Sequence, residues 1–151
     1  MKVYLARHGE AVSSQLDPQR PLSEQGITDI RKVASYIKSM GISVEYIWHS
    51  GKRRAEQTAE ILAESVSVMK DCSAHNHLRP NDDISIIVEE LEAYNTDIIL
   101  VGHLPFMAYL ASLLIAGSET VSFDAGTIIC INREKSGRWQ IEWMISPKLL
   151  D

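Results

Sequence analysis

The segment DIILVGHLPFMAYL, residues 97–110, decides the fold class. Residues 98–101 are apolar without any alternation, a pattern typical of a strand in a parallel sheet that is buried on both faces. The apolar run over residues 104–117 is too short to span a bilayer and predicts a core helix. Pro105 is expected at its first position, where proline is tolerated. A buried strand followed directly by a helix indicates an α/β fold.

The flanking sequence alternates in the same way. Ser23 is a good N-cap for a helix whose apolar residues recur at helical spacing until Gly41. Asp82 or Asp83 can cap a later helix. The other predicted elements are strands at 3–6, 44–48 and 66–69, a helix at 52–64, and antiparallel strands at 127–132 and 139–145. Together they predict a single domain over residues 1–151, a three-layer α/β/α sandwich with a mixed, mostly parallel sheet.

Composition narrows the class of protein. Its 151 residues are 45% hydrophobic and 23% charged, as in an ordinary globular domain. The net charge of -5 argues against a nucleic-acid partner. Cys72 and Cys130 lie far apart, which favours a reducing compartment over a disulfide framework. With neither a signal-peptide pattern nor a membrane span in the sequence, we expect a cytoplasmic protein without a membrane partner.

Three separate segments place cationic or ionisable side chains after predicted strands. Arg7 and His8 follow the first strand, Arg54 begins the helix after the second, and His103 follows the 97–102 segment. Ligands of open α/β sheets bind beyond the carboxyl ends of the strands. We therefore expect these four residues to share one rim.

The chemistry of this rim favours a phosphoryl group. Arginine offers a fork of donors that matches phosphoryl oxygens, and Gly9 lets the backbone approach a ligand closely. Neighbouring cations are expected to lower the pKa of His8, and the following helix that of His103. A neutral His8 can attack phosphorus, and water can then hydrolyse the phosphohistidine. The arginines and His103 would stabilise the transferring group, without a metal or other cofactor.

Several motifs resemble those of the histidine phosphatase superfamily, also called the phosphoglycerate mutase-like fold. They are ARHGEA, RPLSEQG, RRAEQTAE, VGHLPFMAYL and WMISP, in the family's order. The short length and the combination of RPLS, RAEQT and GHLP look most like the SixA-type phosphohistidine phosphatases. The resemblance implies that His8 is the phosphorylated nucleophile and that Arg7, Arg54 and His103 complete the phosphate pocket. Arg53 competes with Arg54, but the family arginine directly precedes A-x-Q-T.

Further roles follow from the same resemblance. Arg20, in QRPLS, looks like an accessory arginine that reaches the substrate. Ser50, in HSGKRR, is expected to bind substrate, although Gly51 replaces the proline that usually follows this serine in the family.

A general acid is harder to assign. Asp82, Asp83 and Glu10 are the candidates, and Asp83 is preferred because LRPNDD resembles a short acidic segment of SixA-type members. The alternative is that these aspartates only cap the next helix. A phosphoramidate needs less acid assistance than a phosphate ester, so a weak acid fits a phosphohistidine substrate.

The chain has little spare length for a lid, and an open pocket would admit a phosphorylated side chain on another protein. The expected function is a phosphohistidine protein phosphatase acting on a phosphotransfer domain or phosphocarrier. A small-molecule phosphomonoesterase is the alternative, followed by a catalytically silent phosphoprotein-binding module.

One further motif, CSAHNHLR at residues 72–79, invites a metal site. Its spacing matches no common zinc motif, and we interpret it as a polar loop.

Overall fold

The computed structural model describes residues 1–117 and 121–150. The strands of this part are β1 (Lys2–Arg7), β2 (Ser43–His49), β3 (Ser67–Ala74), β4 (Ile98–Gly102), β5 (Ile128–Arg133) and β6 (Trp139–Ile145). The α-helices are α1 (Glu24–Lys38), α2 (Arg53–Ala63), α3 (Ile84–Tyr94) and α4 (Phe106–Leu114), and a 3₁₀ turn follows at Pro147–Leu149.

The strands form one mixed sheet in the order β3-β2-β4-β1-β5-β6. The first four are parallel, β5 runs antiparallel to β1, and β6 runs antiparallel to β5. Helices α1 and α2 contribute Ile30 and Leu62 to the core on one face of the sheet, whereas α3 and α4 contribute Ile87 and Phe106 on the other. All five residues of β4 are buried between these layers. The predicted sandwich with a mostly parallel sheet is confirmed.

Capping residues set where the helices begin. The Ser23 hydroxyl accepts a hydrogen bond from the Gly26 N–H at 3.0 Å, as expected for an N-cap. Asp83, rather than Asp82, caps α3. The placement of Pro105 was wrong by one residue, because Pro105 is the N-cap of α4 and the helix begins at Phe106. A cap residue needs no N–H for the helix, so proline is as well suited there as one position later.

Strand β3 is longer than predicted and ends at Ala74. Most of its side chains are exposed or half-buried because it lies at the edge of the sheet, so its apolar pattern is weak. Pairing with β2 nevertheless extends it until Ala74 lies opposite His49.

Strand register brings the functional segments to one edge. Arg7 pairs with Gly102, and His49 pairs with Val101. The residues that follow β1, β2 and β4 therefore leave the sheet side by side.

The start of α1 supports this edge. A Cβ atom on Gly26 would lie 2.1 Å from the Glu10 carbonyl oxygen. Only glycine allows the helix to approach the segment after His8 this closely. This contact explains the glycine in RPLSEQG.

Within the described ranges, no helix combines the length and the apolar character that crossing a membrane requires.

Candidate active site

His8 is oriented by its own backbone neighbourhood. It is 9% exposed, and its N–H donates to the Gly102 carbonyl at 3.0 Å. Its Nδ1 lies 2.7 Å from the Gly9 carbonyl oxygen. A carbonyl can only accept, so Nδ1 carries the hydrogen and Nε2 keeps its lone pair. The Arg54 Nε–H donates to this Nε2 at 3.3 Å.

The surroundings of His8 keep its imidazole neutral. The pKa of His8 is lowered to about 4, mainly by burial and also by the charges of Arg54 and Arg7, although the hydrogen bond to Gly9 opposes them. Sequence reasoning named the cations alone, whereas burial is the larger cause. At neutral pH, His8 is therefore a neutral imidazole whose Nε2 lone pair accepts the hydrogen bond from Arg54.

His103 lies directly beside His8. Their ring centroids are 4.8 Å apart, and the rings are tilted by 56°. The His103 Nε2 lies 2.6 Å from the Ser50 hydroxyl, which also accepts the Lys52 N–H at 3.3 Å. Burial, followed by the neighbouring His8 and Arg54, lowers the pKa of His103 to about 3. His103 is therefore also neutral at pH 7.

Backbone carbonyls hold the guanidinium groups of Arg7 and Arg20. The Arg7 Nη1 donates to the Phe123 carbonyl at 2.7 Å, and the Arg20 Nε donates to the Val12 carbonyl at 3.1 Å. The charge of Arg20 lowers the pKa of both histidines, so it acts on the same pocket.

Arg53 and Arg54 are neighbours with different surroundings. The Arg53 guanidinium is directed to Glu56 at 2.6 Å on the exposed side of α2. Arg54 instead contacts the His8 ring. The arginine that precedes A-x-Q-T is thus the one in the pocket.

Thr58 was missed by sequence reasoning. It is fully buried, accepts the Gly9 N–H at 3.1 Å and donates to the Arg54 carbonyl at 2.8 Å. Gly9, expected to let the backbone approach a ligand closely, thus has its N–H bonded to Thr58. The signal was present in RRAEQTAE, but helical spacing alone does not say that a threonine joins the segments carrying His8 and Arg54.

The loop after β2 explains the departure from the family pattern. Gly51 has φ +88°, a left-handed conformation that proline, with φ near -65°, cannot adopt. The Gly51 N–H donates to the His49 Nδ1 at 3.1 Å. This loop presents Ser50 to His103.

Asp83 is engaged as a helix cap. Its carboxylate accepts from the Ser85 N–H at 2.9 Å and the Ser85 hydroxyl at 2.8 Å. These hydrogen bonds lower the pKa of Asp83, and a lowered pKa makes this carboxyl less suited to donate a proton. Its role as general acid stays a prediction.

The two neutral histidines predict a pH-dependent stability. An unfolded chain protonates histidine near pH 6.5, whereas folded His8 and His103 stay neutral down to about pH 4 and about pH 3. The unfolded state thus binds more protons in this window, and the free energy of unfolding falls as the pH falls below 6.5. Urea denaturation at several pH values measures this loss. This loss of stability should be smaller in a His8→Asn/His103→Asn variant. An unchanged dependence of the free energy of unfolding on pH would contradict the assignment of two neutral histidines.

Comparison with protein families shows which family the chain belongs to. The model of the histidine phosphatase superfamily (branch 1) matches residues 3–79, about half of the 151 residues. The chain belongs to the histidine phosphatase superfamily. It is accordingly a hydrolase acting on phosphohistidine or phosphate esters.

Relatives within this superfamily cover nearly the whole chain. Phosphohistidine phosphatase SixA from Escherichia coli strain K12 is 27% identical over 97% of this chain and 94% of its own. A structure of the protein histidine phosphatase SixA complexed with tungstate superposes with a TM-score of 0.90 and 27% identity, covering 100% of both chains. A phosphoserine phosphatase mutant from Entamoeba histolytica has a TM-score of 0.73 at 16% identity, over 97% of this chain and 98% of its own. That last likeness concerns the fold alone.

Proposed function

We propose that the protein is a phosphohistidine phosphatase in which His8 accepts the phosphoryl group. One observation carries the proposal: His8 is neutral, its Nδ1–H donates to the Gly9 carbonyl, and its Nε2 keeps a lone pair, which accepts the Arg54 Nε–H. An imidazole in this state is a nucleophile, whereas an imidazolium is not.

In the first half of the reaction, the Arg54 N–H turns from the His8 Nε2 to a phosphoryl oxygen, and the released Nε2 lone pair attacks phosphorus in line with the leaving group. A P–N bond to His8 forms as the bond to the leaving group breaks. The positive charge that develops on the ring is stabilised by the hydrogen bond from Nδ1 to Gly9. In the second half, water attacks the phosphorus of phosphorylated His8, which releases inorganic phosphate and restores the neutral ring.

Charge on the transferring group is stabilised by fixed donors. Three buried side-chain atoms of the described residues have no hydrogen-bond partner, and two of them, the Arg7 Nε and the His103 Nδ1, belong to predicted pocket residues. Buried polar atoms without a partner are costly, and phosphoryl oxygens can supply that partner. Arg54 adds a guanidinium at the attacking nitrogen, and Arg20 contributes positive charge from farther away.

The preference for phosphohistidine on a protein follows from the relatives. Two relatives that match nearly the whole chain are named phosphohistidine phosphatase and protein histidine phosphatase. A phosphotransfer domain or phosphocarrier would supply such a residue. The free thiols of Cys72 and Cys130 agree with a reducing, cytoplasmic location.

Relative rates on different substrates test the proposal. The purified protein is given a protein carrying phosphohistidine and, separately, a panel of sugar phosphates, and kcat/KM is measured for each. We expect the phosphohistidine protein to be the better substrate. Faster hydrolysis of a sugar phosphate would favour a small-molecule phosphomonoesterase, and phosphoprotein binding without phosphate release would favour a silent module.

A further inference from the structure

A second cleft opens beside the catalytic pocket, on the far side of Ser50. Its volume is about 370 Å³. It is bounded by the loop after β2, the end of β3 with its following loop, and α3, and its lining includes Ser50, Gly51, His75, His77, Arg79 and Glu90. Ser50 also contacts His103, so the two sites share one side chain. The CSAHNHLR motif therefore forms one wall of this cleft.

His75 is held rigidly in this wall. Its ring stacks on Trp48 with centroids 3.9 Å apart and planes only 4° from parallel. The backbone N–H of His75 donates to the His49 carbonyl at 2.8 Å, and the ring Nε2 contacts the Glu90 carboxylate. Because a carboxylate accepts, Nε2 is the donor, and in the neutral form of the ring Nδ1 is the acceptor. His75 and Glu90 thus form a pair, in which the carboxylate holds Nε2 and the other ring nitrogen, Nδ1, faces away from it.

Phosphohistidine places a specific demand on such a pair. A phosphate ester needs its proton on the oxygen bonded to phosphorus. A phosphorylated imidazole needs its proton on the other ring nitrogen, since the ring would otherwise leave as an unstable imidazolate anion. The group that stabilises this proton must therefore lie farther from phosphorus than the acid that protonates an ester oxygen, by about the width of the imidazole ring.

The order of the strands places the His75–Glu90 pair farther from His8 than either His103 or Ser50. At the carboxyl edge of the sheet, His8, His103, Ser50 and His75 follow β1, β4, β2 and β3, which are neighbours in this order. Strands are about 4.8 Å apart. His75 is thus the outermost of the four, beyond the residue that contacts His103.

Resting on the proposed function, we propose that this cleft binds the leaving imidazole of phosphohistidine and that the His75 Nδ1 accepts its remote N–H. The proton comes from solvent with the protonated substrate. His8 forms its P–N bond, the substrate P–N bond breaks, and the electron pair stays on the leaving nitrogen. The ring departs as neutral imidazole and retains its remote N–H. Glu90 is a positioning residue. It orients His75, and its negative charge favours the protonated form of the substrate's imidazole ring.

Paired substrates test this assignment. His75→Phe keeps the ring on Trp48 but removes the acceptor, and Glu90→Gln removes the charge. Exposed Glu89 provides the control Glu89→Gln. Each variant is assayed with phosphohistidine and with 4-nitrophenyl phosphate, whose leaving group needs no proton. We expect His75→Phe and Glu90→Gln to lower kcat/KM for phosphohistidine about tenfold, the effect of one hydrogen bond to a charged group. Hydrolysis of 4-nitrophenyl phosphate should stay near the wild-type rate.

A pH profile separates this role from a structural one. Lowering the pH protonates the substrate ring in solution, so the deficit of both variants should shrink between pH 8 and pH 6. His77 and Arg79 line the same cleft and are unchanged in both variants, so comparison with the wild type at each pH accounts for them. Equal losses on both substrates, or no loss on either, would overturn the inference while wild-type activity on phosphohistidine upholds the proposed function. A wild type inactive on phosphohistidine would overturn both.

Discussion

Replacing His8 with alanine is expected to abolish phosphate release, with a loss of about 10³-fold or more in kcat. The reason is that the neutral Nε2 of His8 is the nucleophile of the proposed reaction, and no other histidine takes its place. His103, the neighbouring ring, has its Nε2 at the Ser50 hydroxyl. Release of inorganic phosphate from a phosphohistidine protein measures the effect.

A second readout identifies the intermediate directly. Rapidly quenched wild-type protein should carry an acid-labile phosphoryl group, and His8→Ala should carry none. A matching urea midpoint at pH 7.5 shows that the variant is folded. Wild-type turnover by folded His8→Ala would rule out the covalent mechanism.

Replacing Arg54 with alanine is expected to lower kcat/KM by about 10²-fold, the effect of removing one charged donor from a transition state. Its Nε–H aligns the His8 Nε2, and its charge helps to keep that ring neutral. Without Arg54, both the alignment and part of the stabilisation of the phosphoryl oxygens are lost.

Arg53 provides the matched control. It is the same residue type, one position earlier on the same helix, but its guanidinium pairs with Glu56 on the exposed side. An exposed ion pair contributes little, so Arg53→Ala should change kcat/KM by less than about twofold. Equal losses in the two variants would mean that net positive charge, rather than contact with His8, is what matters.

Local patterns in the sequence predicted most of the secondary structure. The unbroken apolar run at residues 98–101 predicted a central parallel strand, and β4 is buried at every position. Ser23 predicted the start of α1 because an N-cap bond is made within four residues of chain. The edge strand β3 was underestimated, since pairing with β2 and not its own apolar pattern extends it to Ala74.

The candidate site divides in the same way. Residue types and motif order were enough to propose His8, Arg7, Arg54 and His103. They could not predict that Thr58 joins the segments of His8 and Arg54, nor that the Gly9 N–H would be bonded to it. The Gly9–Thr58 contact joins residues 49 positions apart and the His8–Arg54 contact residues 46 apart, and no local periodicity encodes them.

The sequence by itself determined which elements form and which side chains can bind or accept a phosphoryl group. Only the tertiary structure decided the state of those side chains. Burial, which depends on the whole fold, is the main cause of the lowered pKa of His8, and the Gly9 carbonyl selects its tautomer. Likewise, His75 and Glu90 meet only because the end of β3 lies against α3. Protonation and hydrogen-bond partners depend on distance in space, which the order of strands and helices sets.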